Sequence, residues 1–143
     1  MPSSFVTFRI EGGLYALPAD HVERIFSPGE PMPLPGAPPP LRGLAPHEGR
    51  LLALVDAPTL LGCGAAAGKL SAIALSAPRL GIALLVPAPA EVDEGEVLAD
   101  SGGAANLLLG AGPAVRVDPA VLIEHLTRLV VAGHGLRPGE QNG

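Results

Sequence analysis

Between Ser27 and Gly43 the chain reads SPGEPMPLPGAPPPLRG. No regular helix or central strand can pass through it, because each proline lacks the amide hydrogen that both need. The stretch must be a long ordered connection lying against something else. Elsewhere the 19 Gly and 17 Pro of the 143 residues fall between apolar segments. They punctuate turns and do not mark one disordered tract.

Around that connection the segments have strand length. FVTFRIE alternates, and a Gly12-Gly13 turn separates it from LYAL, which is a hairpin signal. RLLALVD, LSAIALS and LGIALLV are short apolar runs bounded by Pro or Gly and without helical caps. Near the end, DPAVLIEHLTRLVVAG predicts a helix capped by Asp118, with Pro119 in its first turn and Gly133 as its stop. Val121, Leu122, Leu126, Leu129 and Val130 fall on one face of it. Residues 133–143 carry no apolar anchor and read as a flexible tail. The residues alone therefore predict an all-β domain, residues 1–132, with short helical pieces.

Hydrophobic residues make up 48% of the chain and charged residues 16%, enough apolar surface for one buried core. With no Trp, one Tyr and three Phe, ring stacking on bases or sugars is a poor candidate function. A net charge of -5 argues against nucleic acid, since a phosphate-tracking surface needs clustered Lys and Arg. The opening MPSSFVTFRI has no basic region followed by a long apolar core, and no apolar run has spanning length. We expect a cytoplasmic protein without membrane insertion. The single Cys63 fits a reducing compartment.

Chemistry finds little support. GCGAAAGKLS resembles a phosphate loop, but Cys63 stands where the leading Gly belongs and Leu70 where a metal-binding hydroxyl is required. A flexible linker between two halves is the better reading of Gly62 to Lys69. His21, His47, His125 and His134 show no metal-ligand spacing. His47 and Glu48 are adjacent, and neighbours on a strand point to opposite faces, which disfavours an acid–base pair. We expect no catalytic, cofactor or metal site.

Two stretches carry a resemblance. Phe5 to Phe26, FVTFRIEGGLYALPADHVERIF, offers a strand, a Gly turn, a Tyr-containing strand and a short helix leading into Val22-Glu23-Arg24-Ile25. Pro33 to Gly62 follows with a Pro-rich loop, Gly43, Gly49, an apolar strand ending at Asp56, and Leu60-Leu61-Gly62. Together they resemble the CheW-like domain, an adaptor that links chemoreceptors to the CheA histidine kinase in bacterial chemosensory arrays. The second half matches by a strand pair around Gly81, a late hairpin about GAGP and the closing helix.

The resemblance implies two packed, small, five-stranded SH3-like barrels with short helices and a C-terminal helix, the chain crossing between them near residues 62–69. A strand between two barrels is buried on both faces, which would explain why Leu51, Leu52, Leu54 and Val55 are all apolar. It also implies partners: the cytoplasmic tip of a methyl-accepting receptor and a CheA-type kinase, with residence at the receptor cluster. Val22, Gly43 and Leu44 match the family's receptor-contact region; as core residues and a turn they have a purely structural alternative.

Departures cluster at the same place. The family has an acid where Arg24 stands and an Arg where Glu48 stands. Ala53 and Ala57 replace its Pro and Leu, LLVPAPA replaces a Val-Asp pair, and the second barrel looks shortened around ADSGGAANLLLGAGP. Because both signs are reversed, attraction is kept, and an Arg24–Glu48 ion pair in the first barrel is expected to orient the tip His47-Glu48-Gly49-Arg50. Reversed charge is also a means of excluding the wrong partner. Two alternatives stay open: a generic β-barrel interaction module or a competitor that holds only one partner, and a small hydrolase, for which Ser, His and Asp occur in no recognisable arrangement.

Overall fold

The computed structural model describes residues 3–76, 81–101 and 104–133. Its strands are β1 (Ser3–Ile10), β2 (Gly13–Pro18), β3 (Val22–Phe26), β4 (Leu41–His47), β5 (Arg50–Asp56), β6 (Leu70–Leu75), β7 (Ile82–Pro87), β8 (Glu91–Ser101), β9 (Ala104–Leu109) and β10 (Gly112–Arg116). A 3-10 turn spans Ala19–His21, α1 is one turn at Ala57–Leu60, and α2 runs Pro119–Gly133. The expected β class, late hairpin and closing helix are all present.

The first hairpin turns one residue earlier than its Gly-Gly pair indicates. Ile10 faces Gly13, so Glu11 and Gly12 form the turn, at φ of 48° and 86°. Two left-handed residues give a turn whose twist matches that of the strands it joins.

Strands β1, β2, β10, β9 and β8 close into a barrel in that order, through an antiparallel β1–β8 ladder and a parallel β2–β10 ladder. The other five strands form a sheet in the order β3-β6-β7-β5-β4. The expectation of two barrels is thus met by one closed barrel and one five-stranded sheet, whose end strands are not bonded to each other. The cause lies in the Pro-rich loop. Met32 stands between Pro31 and Pro33 and has the amide they lack; it donates to the Leu44 carbonyl at 2.7 Å and accepts from the Leu44 amide at 2.9 Å. The loop thus pairs with β4 at Leu44, on the edge where a closing β3 would have to pair.

The expected crossover at residues 62–69 is also corrected. The chain leaves the barrel through Ala19–His21 and returns between β7 and β8, while residues 62–69 join α1 to β6 within the sheet. Nor is that segment a free linker. The Ala66 amide donates to both carboxylate oxygens of Asp56, at 3.0 and 3.2 Å, and the Cys63 amide donates to the Pro58 carbonyl at 2.7 Å.

Among the described residues, three apolar clusters hold the molecule. Phe5, Leu14, Ala16, Leu107, Leu109 and Ala114 fill the barrel. Ala45, Ala72, Ala74 and Ala83, with Leu52, Leu54 and Leu85, form a second cluster within the sheet. The largest cluster joins the two, with Val6, Phe8 and Leu17 of the barrel against Val55, Ile73, Leu84 and Val86 of the sheet. β5 is accordingly buried on both faces at Leu54 and Val55, but Leu51, near the hairpin tip, is 57% exposed. The shared cluster is finished by α2, whose Leu122 and Leu126 are buried. Asp118 caps it, accepting from the Ala120 amide at 2.9 Å. Val121, expected on the buried face, is 61% exposed. The side chains of Leu129 and Val130, residues 102 and 103 of the shortened segment, and the tail from 134 to 143 lie outside the described residues.

Candidate functional site

The tip of the β4–β5 hairpin is built by Glu48 and Gly49, at φ of 51° and 79°. This is the left-handed pair that a two-residue hairpin loop needs, and Glu48 occupies it without glycine's freedom. The turn sets Glu48 and Arg50 facing β3.

On β3 a bulge does the complementary work. Val22 pairs with Leu75 and Arg24 with Ala74, so Glu23 is the extra residue. Neighbours on a regular strand point to opposite faces; a bulge re-aims them. Glu23 and Arg24 both reach the tip. Arg24 Nη1 lies 2.6 Å from Glu48 Oε2, the expected pair, and Arg50 Nη2 donates to Glu23 Oε1. The two pairs carry opposite sense, so four charges sum to zero within one patch. The strands involved belong to the sheet and not, as expected, to the barrel formed with the first hairpin.

Next to the ion pairs, the rings of Phe26 and His47 stack at 4.0 Å between centroids and 13° between planes. The His47 side chain is 16% exposed, and its buried Nε2 makes no hydrogen bond among the described residues; Glu48 Oε1 is 4.0 Å away. That gap is too long for proton transfer through a direct hydrogen bond. Among the described residues no three His, Cys, Asp or Glu side chains gather as a metal site.

The candidate residues fall in three places. Arg24, His47, Glu48 and Gly49 meet at the tip. Gly43 and Leu44 lie further back on β4, where Leu44 bonds to Met32 and Gly43 is buried beneath the Pro-rich loop. Val22 packs against the cluster shared by barrel and sheet. The sequence reading missed Glu23, Phe26 and Arg50. Its available signal was the alternation of sign in Glu23-Arg24 against Glu48-Gly49-Arg50, legible only once the bulge is known.

Tyr15 lies on the barrel side of the shared cluster, stacked on Phe8 at 5.8 Å. Burial pushes its phenol above the ordinary value, and the Cys63 thiol beside it acts the same way. A phenol raised on folding contributes stability that is complete below its unfolded pKa of about 10 and lost as pH rises through the folded value. Urea unfolding at stepped pH should therefore show wild type losing more stability than Tyr15→Phe above about pH 10. Equal losses would mean the phenol titrates alike in both states.

No helix among the described residues is long and apolar enough to cross a membrane. No curated protein is similar enough in sequence to match the chain. Among solved structures it is similar to the scaffolding protein TtCheW from Thermoanaerobacter tengcongensis. The TM-score is 0.67 at 16% identity, over 85% of this chain and 88% of that one. A family model, the CheW-like domain, matches residues 4–98, from β1 into β8 and so through the whole sheet and its tip. The chain belongs to the CheW-like domain family.

Proposed function

We propose that this chain is a coupling adaptor of a bacterial chemosensory system. It acts in the cytoplasm, holds the cytoplasmic tip of a methyl-accepting receptor and a CheA-type histidine kinase, and selects its own receptor set through the hairpin tip. The family and its scaffolding relative are non-catalytic adaptors, which supports a role in assembly without turnover. The observation that carries the selective part is the reversed pair Arg24–Glu48, formed at 2.6 Å with both side chains about half exposed. A partner built for the usual signs would meet like charge here, at a cost of up to several kcal/mol. We propose further that Val22, Gly43 and Leu44 belong to the partner surface, since these positions match the family's receptor-contact region.

A charge-swap cycle tests this. Arg24→Glu and Glu48→Arg should each lower stability by about 0.2–1 kcal/mol and weaken binding to the cognate receptor tip by calorimetry. The double swap should recover stability without recovering affinity. Native affinity retained in the double swap would remove the tip from the binding surface. Binding of kinase alone, with no receptor from the same cell retained, would make the chain a competitor that occupies one partner.

A further inference from the structure

The sheet closes on itself by a means the barrel does not use. Every seam of the barrel is a backbone ladder. In the sheet the end strands β3 and β4 share no ladder, and what spans from β3 to the hairpin tip is a set of side chains: Arg24 to Glu48, Glu23 to Arg50, and the Phe26–His47 stack.

We infer that this seam is a latch and that β3 is the strand it releases. β3 has five residues, and its one ladder, to β6, is interrupted by the bulge at Glu23. Its Val22 and Ile25 pack on the shared cluster, while Phe26, nearest the tip, meets a cluster of four alanines and three leucines. The seam ties that end of β3 to the hairpin tip. Both of its ion pairs are about half exposed, so mobile ions screen them, whereas a buried ladder is indifferent to salt. The stack adds a weak point, since the buried Nε2 of His47 has no partner among the described residues and gains one if the seam opens to water. A partner's charge that draws Glu48 from Arg24 would act as salt does, turning contact at the tip into loosening of β3. The latch is a property of the seam and holds whichever partner the chain takes, so its failure leaves the adaptor role untouched.

Hydrogen exchange on the full chain tests it, at about 0.02 M and about 1 M salt, with wild type and the volume-conserving double variant Glu23→Gln/Glu48→Gln. In wild type the β3 amides bonded to β6 should exchange about fivefold faster in high salt, while those between β6 and β7 change less than about twofold. The double variant should exchange fast at β3 already in low salt and respond little to more. Unchanged β3 exchange in wild type overturns the latch, as does equal acceleration across β3, β6 and β7, which is global loss of stability. The salt arm needs no substitution, so it decides the matter even if the variant does not fold.

Discussion

Asp56→Ala should lower the unfolding free energy by about 2–5 kcal/mol, set by the buried donors it would leave without an acceptor, since the freed Arg42 side chain is 35% exposed and can reach water. The carboxylate is 0% exposed. Its Oδ2 accepts from Arg42 Nη1 at 2.6 Å, its Oδ1 accepts from the amide and hydroxyl of Thr59 at 3.0 Å each, and both oxygens accept from the Ala66 amide. Alanine would leave the amides of Thr59 and Ala66 without their acceptor, uncap α1, and free the segment that joins it to β6. Asp56→Asn should cost less, because one oxygen still accepts from Thr59 while the new NH2 can only face other donors. Urea unfolding measures both; a loss below about 1 kcal/mol in the alanine variant would show that water replaces the network at little cost.

Gly43→Val should cost about 2–4 kcal/mol by combining backbone strain with overpacking. Gly43 sits at φ 145°, and a Cβ there would overlap the Met32 carbonyl oxygen and lie 3.1 Å from Pro31 Cβ. Since the obstacle is backbone, no rotamer change relieves it. The Pro-rich loop must lift, and with it goes the Met32–Leu44 pair. Thermal unfolding together with proteolysis inside residues 27–40 reads the effect: the loop should become cleavable well below the global transition. Stability within about 0.5 kcal/mol of wild type would mean the loop slides without loss. For the partner surface Leu44→Ala is the cleaner probe, because Leu44 can lose its side chain and keep its backbone pair.

Much of the fold was legible because strand length and Pro/Gly punctuation agree. RLLALVD, LSAIALS and LGIALLV are β5, β6 and β7 within two residues at each described end, and Asp118-Pro119 opens α2. The Arg24–Glu48 pair was legible from reversed signs against the family pattern. What escaped was whatever depends on where the chain goes in space. Gly62 to Lys69 looks like a linker by composition, and only the burial of Asp56 beside Ala66 reveals it as a fastened loop. The second barrel stays open because Met32 has an amide between two prolines, a fact present in the sequence but meaningless until β4 is seen beside it. Glu23 and Arg50 escaped because alternation along a strand sends Glu23 away from Arg24, and a bulge cancels that rule locally.

The path of the chain between barrel and sheet also dictates an order of events during synthesis. Residues 22–87 hold the whole sheet as one unbroken stretch, whereas the barrel is assembled from strands at both ends of the described chain. Once β7 has left the ribosome the sheet can complete its ladders, but β1 and β2 must wait for β8 and β10. Long-range pairing of this kind is slow, and unpaired edges invite aggregation while they wait. The outward faces of Val6, Phe8 and Leu17 can meanwhile rest on Val55, Ile73 and Leu84, so the finished sheet serves the first hairpin as a template until its barrel partners arrive.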